Sequence, residues 1–412
     1  MRAGHLTVWL ILLSLFSGTG CTPSMPGQDR RLAAGIESPA PDGSRQHHLT
    51  TTADGQLLLS WVEATPPVNR LRFSILGQQG WTAPATLAQT SAKFAAPPKV
   101  VALAGGSLAA AWMVAAARGD DKYAADIYVS HSADGGKHWS EPTTPYSSNA
   151  RIYDAQMSLT PLANGQLALV WTDTRNLKSD HRHQLMASLI DSTGRLNDEV
   201  TLDDDVCSCC ETGIAAQGDD WLVAYRDHLP GEVRDIALVG SRGGHFSRSL
   251  VYDDHWVIDG CPSNGPDVAW KGSRVIVAWF SAADGRGRVR AAFSDDNGNT
   301  FSPPLELDDN ANGYVSVLLT DDGDGIVAWR RRAGSEEALR VAKLGADGAL
   351  FQRVAVYQGD FPRWPSRHLK LANLADSVYV AWNDLTSNRV RLAQLPVFTS
   401  TTHANRGPSI GE

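Results

Sequence analysis

The densest set of reactive side chains lies in DVCSCCETG, residues 205–213, where Cys207, Cys209 and Cys210 precede Glu211. Cys21 and Cys261 are the only other cysteines, so three of five stand within four positions. Sulfur at that spacing permits a disulfide, a thiolate site for a soft metal, or a redox pair. A redox pair has least in its favour, because no C-x-x-C opens a helix of a thioredoxin-like unit. A Cu(I) or Zn(II) site built from Cys207, Cys209, Cys210 and Cys261 is the alternative to disulfides, with His228 and His255 as the only imidazoles close in sequence. No zinc-finger spacing is present, and neither a metal nor any other cofactor is expected.

A second cluster runs from Tyr225 to Asp235, with Arg226-Asp227 at its start and Arg234-Asp235 at its end. Two arginines facing two carboxylates make a structural clamp across a loop. Alternatively, an arginine supplies a bidentate partner for a ligand carboxylate or sugar hydroxyls. A nearby carboxylic acid then donates a proton to a leaving oxygen, which makes Asp227, Asp235 and Glu211 candidate catalytic acids.

These residues need a scaffold, and the sequence repeats one. A turn, an apolar run and an aromatic recur, ending at Trp61, Trp112, Trp171, Tyr225, Trp279, Trp329 and Trp382, with spacings of 50 to 59 residues. A second short strand follows most of these runs and a third precedes each. Seven such units, in a chain with 37 Gly and 13 Trp, predict an all-β fold, a seven-bladed β-propeller, six blades being the alternative. Units of about 50 residues are too small to fold as separate domains without staples. The recurring aromatics are expected to pack between blades.

In a propeller, the loop leading into each blade's first strand and the loop between its second and third strands open on one face, here called the upper face. Charged and aromatic residues gather in those loops. They include Asp173, Arg175, Arg226, Arg234, Arg330, Arg151, Asn264, His47, His48, Arg367 and His368. Arg151, Asp173, Arg175, Arg226, Arg234, Asn264 and Arg330 are the candidate ligand-binding residues. The cysteine loop leads into the fourth unit and Cys261 into the fifth, so the two are neighbours on this face. A disulfide from Cys261 to Cys207 or Cys209 is therefore expected, leaving Cys209–Cys210 as a conceivable vicinal bond.

Two turns carry a sharper signature. Ser132, Asp134, Gly136 and Trp139, and again Ser294, Asp296, Gly298 and Phe301, match Ser-x-Asp-x-Gly followed by an aromatic. Asp accepts backbone N–H groups, Gly takes a positive φ, and the aromatic packs back on the blade. This resembles the Asp-box (BNR) repeat of the sialidase-like propellers, over most of residues 45–396. The chain is also similar to exported bacterial BNR-repeat lipoproteins that share Cys-x-Cys-Cys, Tyr-Arg-Asp with a following Arg-Asp-Ile, and Gly-Cys-Pro-x-Asn-Gly-Pro. Here those are Cys207–Cys210, Tyr225–Asp227 with Arg234–Ile236, and Gly260–Pro266. The sialidase resemblance implies three arginines around a substrate carboxylate, an Asp acid/base and a Tyr–Glu nucleophile. Arg151, Arg226 and Arg330 fall on three blades and Tyr153 falls near the axis. The Arg-Ile-Pro stretch that usually supplies the first arginine is absent, and Arg151-Ile152-Tyr153 is its nearest counterpart. Ligand binding, to a glycan or another surface or periplasmic partner, is thus expected. A glycoside hydrolase of sialidase type is the enzymatic alternative, and a thiolate metal-handling protein the third.

The N-terminus bears on location. Arg2, an apolar run from Leu6 to Phe16, and Gly18-Thr19-Gly20 before Cys21 fit a signal peptide over residues 1–20. The pattern resembles a lipoprotein signal with Cys21 as the lipidated residue. It implies export and a lipid anchor in the bacterial cell envelope, at the outer membrane facing the periplasm, where disulfides persist. Residues 21–44 read as a lipidated N-terminus and linker, 45–398 as the propeller, and 399–412 as a tail. A net charge of −8 disfavours nucleic acid.

Overall fold

The computed structural model describes residues 30–31, 34–116, 124–147, 152–153, 156–177, 182–196, 199–362 and 366–395. They form seven antiparallel sheets arranged as the seven blades of a β-propeller. Blade one comprises Ser44–Thr51, Leu57–Thr65 and Val68–Gly77, with Gly80–Trp81 and Ala85–Thr90 both pairing the third strand. Blade two is Phe94–Ala102, Leu108–Ala115, Ala124–Ser132 and Ile152–Tyr153. Blade three is Met157–Pro161, Leu167–Asp173, Gln184–Ile190 and Val200–Asp203. Blade four is Gly213–Gln217, Asp220–Arg226, Ile236–Arg242 and His245–Tyr252. Blade five is Asp267–Lys271, Arg274–Ser281, Arg288–Ser294 and Leu305–Asp308. Blade six is Ala311–Leu319, Gly325–Ala333, Glu336–Leu344 and Leu350–Gly359. Blade seven is Leu369–Leu374, Ser377–Asp384 and Arg389–Leu395.

The ring is closed by the N-terminal segment. Ala34–Ile36 pairs antiparallel with Arg389–Leu395 as the fourth strand of blade seven, and Arg30–Arg31 adds in parallel to the last strand of blade six. The stretch expected as linker thus contributes strands. Cys21, Arg151 and the tail lie outside the described residues, as does the Tyr153 side chain.

The repeated apolar runs form strands buried on both faces. Leu167–Asp173 is buried at every position because blades flank it on both sides. Seven hydrophobic clusters result, one at each junction between neighbouring blades. Trp61, Trp171, Trp279 and Trp329 are fully buried there. Their indole N–H groups donate to Glu63, Asp173, Asp254 and Asp308, so burial leaves no donor orphaned.

The turns after the third strands of blades two and five are built alike. In the first, Ser132 Oγ donates to Asp134, Gly136 N–H donates to Ser132 Oγ (2.8 Å), and Lys137 and His138 N–H donate to Asp134 Oδ1. Ser294, Asp296, Gly298, Asn299 and Thr300 repeat the same bonds. Gly136 has φ +88°, and a Cβ there would collide with Phe73 of blade one. These turns are fold-building devices on the face opposite the cysteine loop.

Candidate functional site

The first strands of all seven blades line a central channel with a volume of about 410 Å³. Each blade contributes: His48, Lys99, Ser158, Gly213, Asp267, Val317 and Lys370. Backbone irregularities re-aim several of these positions. The first strands of blades one, two and six are bulged just before His48, before Lys99 and before Ser316. Gln46 and Tyr314, at two of these bulges, have positive φ of 52° and 54°.

The channel carries fixed charge. Lys370 Nζ lies 3.0 Å from Asp267 Oδ2, which also accepts from Ser316 Oγ and Val317 N–H. Lys99 has no ion pair among the described residues. Burial, and then the charge of Lys370, draw its ammonium down to about 8. His47, His48 and His368 stand beside this group. Burial draws His47 down to about 4 and holds His48 and His368 well below the usual imidazole value, with Lys99 adding to each. All three are therefore neutral at pH 7. His47 Nδ1 bonds Asn383 Oδ1 at 2.9 Å. His47 Nε2, His48 Nδ1 and Gln156 Nε2 are buried with no hydrogen-bond partner among the described residues. Such groups call for water or a ligand.

At the upper end, Glu211 joins the loops of three blades. Arg367 Nε and Nη2 donate to Glu211 Oε1 at 3.0 and 2.7 Å, and Gly265 N–H donates to Oε2 at 3.1 Å. His368 lies 3.4 Å from the same carboxylate. The guanidinium groups of Arg330 and Arg367 both lie over Tyr314, at 4.5 and 5.4 Å from its ring centroid. Gly265 is required here, because any Cβ would collide with the Glu211 backbone. Asn264 adds a second tie: its Nδ2 donates to Asn312 O and its Oδ1 accepts from Tyr314 N–H.

The structure thus brings Glu211, Asn264 and Arg330 together with Arg367 and His368. The other candidates are engaged elsewhere. Arg226 is 1% exposed and donates to the carbonyls of Arg234, Asn264 and Phe280, with Trp256 stacked 4.7 Å from its guanidinium carbon. Arg330, although at the mouth, spends its guanidinium on Glu337 and the Arg367 carbonyl. Arg234 donates to Ile258 O and Glu232. Asp173 accepts from Trp171 and Arg175, and Arg175 reaches on to Glu199. Among the catalytic candidates, Asp227 accepts from Arg248 and His228 N–H, and Asp235 accepts the N–H groups of His255 and Trp256. Burial pushes both carboxyls up. The expected pairing of Arg226 and Arg234 with Asp227 and Asp235 does not form: both arginines reach backbone carbonyls, Arg234 also Glu232, while Asp227 takes Arg248 and Asp235 takes backbone N–H groups.

Lys99, Asp267 and Lys370 were not singled out by sequence reasoning. Their signal is a charged residue inside an otherwise apolar first strand, as in DVAWK and LKLANL.

The four cysteines of the two loops meet. Cys209 and Cys261 form a disulfide with Cα atoms 6.4 Å apart. Cys207 and Cys210 are buried free thiols 3.4 Å apart at sulfur, and Cys207 Sγ is 3.7 Å from Cys209 Sγ. There is no vicinal Cys209–Cys210 bond. Asn264 N–H donates to Cys210 Sγ, and Cys207 N–H to the Arg226 carbonyl, so the cysteine cluster and the channel mouth share one hydrogen-bonded frame.

No protein-family model matches the chain, and no curated protein matches it in sequence. Solved structures do resemble it. A polysaccharide lyase of family PL25, an ulvan lyase solved alone and bound to -[GlcA(1-4)Rha3S]-, is 12% identical and covers 90% of this chain and 96% of its own, with a TM-score of 0.54. An alpha-L-arabinanase of Penicillium chrysogenum complexed with arabinobiose is 13% identical and covers 89% and 98%, with a TM-score of 0.49. At 12% identity, the lyase likeness establishes the fold.

Proposed function

We propose that this chain is an exported, lipid-anchored propeller of the sialidase-like Asp-box type whose channel mouth binds an acidic glycan. The observation that carries the ligand class is Lys99, a channel-lining ammonium with no ion pair among the described residues, set beside neutral imidazoles with unfilled polar atoms. Asp267 and Glu211 act on Lys99 without forming an ion pair with it, and a ligand carboxylate or sulfate would supply that direct partner and accept hydrogen bonds from the mouth. The ulvan lyase, a propeller bound to a glucuronate-containing saccharide, supports a glycan over other ligands. Ser132–Trp139 and Ser294–Phe301 support the Asp-box assignment, and Leu6–Cys21 supports export with lipidation at Cys21. Binding has more support than hydrolysis, because the carboxylates of Asp227 and Asp235 already hold partners inside their own blade.

The test is calorimetric titration with oligouronates and with neutral oligosaccharides of equal length. Acidic sugars are expected to bind, and Lys99→Met to weaken them by about tenfold or more, the worth of one charge-assisted hydrogen bond. Equal binding of neutral sugars, or indifference to Lys99→Met, would sink the assignment. Metabolic palmitate labelling is expected in the native chain and lost in Cys21→Ser; no label in the native chain would remove the lipid anchor, and label persisting in Cys21→Ser would remove its assignment to Cys21.

A further inference from the structure

We propose that the loops leading into blades four and five form a redox-gated thiolate site for one soft monovalent cation of the copper(I) type, held by Cys207, Cys209 and Cys261. This goes beyond glycan binding and does not depend on it.

The geometry comes first. The sulfur atoms of Cys207, Cys209 and Cys261 all lie within 4.8 Å of one another. Two sulfurs on one metal with bonds of about 2.3 Å stand roughly 3.7–4.0 Å apart. Cys207 Sγ is 3.7 Å from Cys209 Sγ, and 3.4 Å from Cys210 Sγ as a flanking fourth sulfur. Cys207 and Cys209 already stand at a metal-sharing distance, while Cys209 and Cys261, bonded to each other here, must part to about 4 Å once reduced, a movement the exposed Cys261 loop can supply. An all-sulfur set selects soft ions, and a trigonal set suits Cu(I) better than Zn(II), whose structural sites demand four ligands.

Charge agrees. Three thiolates around one Cu(I) carry a net charge of two minus. Arg226 and Arg234 both act on Cys207 with positive charge, Arg226 in full and Arg234 shared with Glu232, and so offset part of that excess. Backbone support is present as well: Asn264 N–H donates to Cys210 Sγ from the loop of blade five. Cys261 is exposed, while Cys207, Cys209 and Cys210 are buried, so the ion has a path in and a shielded seat.

The gate is the Cys209–Cys261 disulfide. A dithiol reductant transfers two electrons and two protons to it, yielding two thiols and closing its own disulfide. The cation then displaces the three thiol protons of Cys207, Cys209 and Cys261. With the disulfide intact, two of the three ligands are withdrawn.

The experiment uses the full chain carrying Cys21→Ser, so that only these four cysteines remain. Reduced protein is freed of reductant without oxygen and titrated with Cu(I) against a chromogenic Cu(I) chelator, with Zn(II) titrated in parallel. One Cu(I) per chain is expected, with thiolate-to-metal charge-transfer absorption in the ultraviolet. The disulfide form should take up none. Loss of one ligand in Cys207→Ser or Cys261→Ser should weaken binding by more than about 100-fold, beyond what outer-shell losses cost. Cys261 lies on an exposed loop, so Cys261→Ser keeps the test decisive if Cys207→Ser fails to fold. Absence of Cu(I) uptake by the folded reduced chain, undiminished uptake by Cys261→Ser, or tighter retention of Zn(II) than Cu(I) would each overturn the proposal.

Discussion

Lys370 and Asp267, on the first strands of blades seven and five, meet with Nζ and Oδ2 3.0 Å apart, spanning the sector that blade six occupies. Asp267 is 7% exposed and is bound by Ser316 Oγ and Val317 N–H of that intervening blade. One carboxylate thus ties three blades at the axis. Asp267→Asn leaves Lys370 beside Lys99 without its ion-pair partner, Glu211 being the remaining carboxylate that acts on Lys99. Lys370 keeps 31% of its side chain exposed, so losing this partner is expected to cost about 1–3 kcal/mol. Urea unfolding should show a free energy lowered by that amount, and an unchanged midpoint would show that the tie is incidental.

The imidazoles at the mouth give stability a pH dependence with a definite sign. His47 is held down to about 4, first by burial, whereas an unfolded histidine titrates near 6.5. Between these values the unfolded chain holds a proton that the folded chain lacks. Stability is therefore full above 6.5 and falls as pH drops toward 4, by on the order of 3 kcal/mol for His47 alone. His48 and His368 are shifted the same way and add to the slope. Lys99, drawn down to about 8, extends the same sign to the alkaline side, where stability rises between about 8 and 10.5. Urea melts between pH 5 and pH 7 should lose midpoint on acidification, less so in His47→Gln. A flat profile over that window would contradict the burial of these groups.

Much of the fold was legible because propeller physics repeats. Each second strand is sandwiched between blades, so its apolar run and terminal aromatic recur, and Trp61 through Trp382 mark seven units in the sequence. The neighbourhood of Cys261 and the cysteine loop followed from blade order. The lumen was not legible in the same way. Bulges before His48, Lys99 and Ser316 shift which residues of the first strands face the channel, and strand alternation alone does not locate a bulge. The role of arginine was also hidden. Arg226 donates to backbone carbonyls, which every residue carries, so no sequence pattern distinguishes that clamp from a ligand site.

The Cys209–Cys261 disulfide closes a loop of 52 residues between the entrances to blades four and five. A cross-link of that span withholds roughly 4 kcal/mol of chain entropy from the unfolded state, with engineered and native cases scattering below this figure. Reduction in the absence of metal should therefore lower the unfolding free energy from urea titration by about 2–4 kcal/mol, and Cys261→Ala should match the reduced chain. Identical stability of the oxidised and reduced chains would argue that these loops are held by Asn264 and Glu211 alone.

Arg226 separates the clamp from a ligand-binding role. Its side chain, 1% exposed, reaches the Arg234 carbonyl in its own blade and the Asn264 and Phe280 carbonyls of the next, with Trp256 against its face. Lysine keeps the charge but has a single nitrogen and no plane to stack, so it cannot reproduce the fork. Arg226→Lys should destabilise the chain by about 3 kcal/mol, within the range for a buried charged group stripped of hydrogen bonds. Affinity of the remaining folded protein for an oligouronate should stay within about twofold, since no ligand contact is lost. The opposite result, near-native unfolding with binding abolished, would return Arg226 to the channel mouth as a ligand-holding residue.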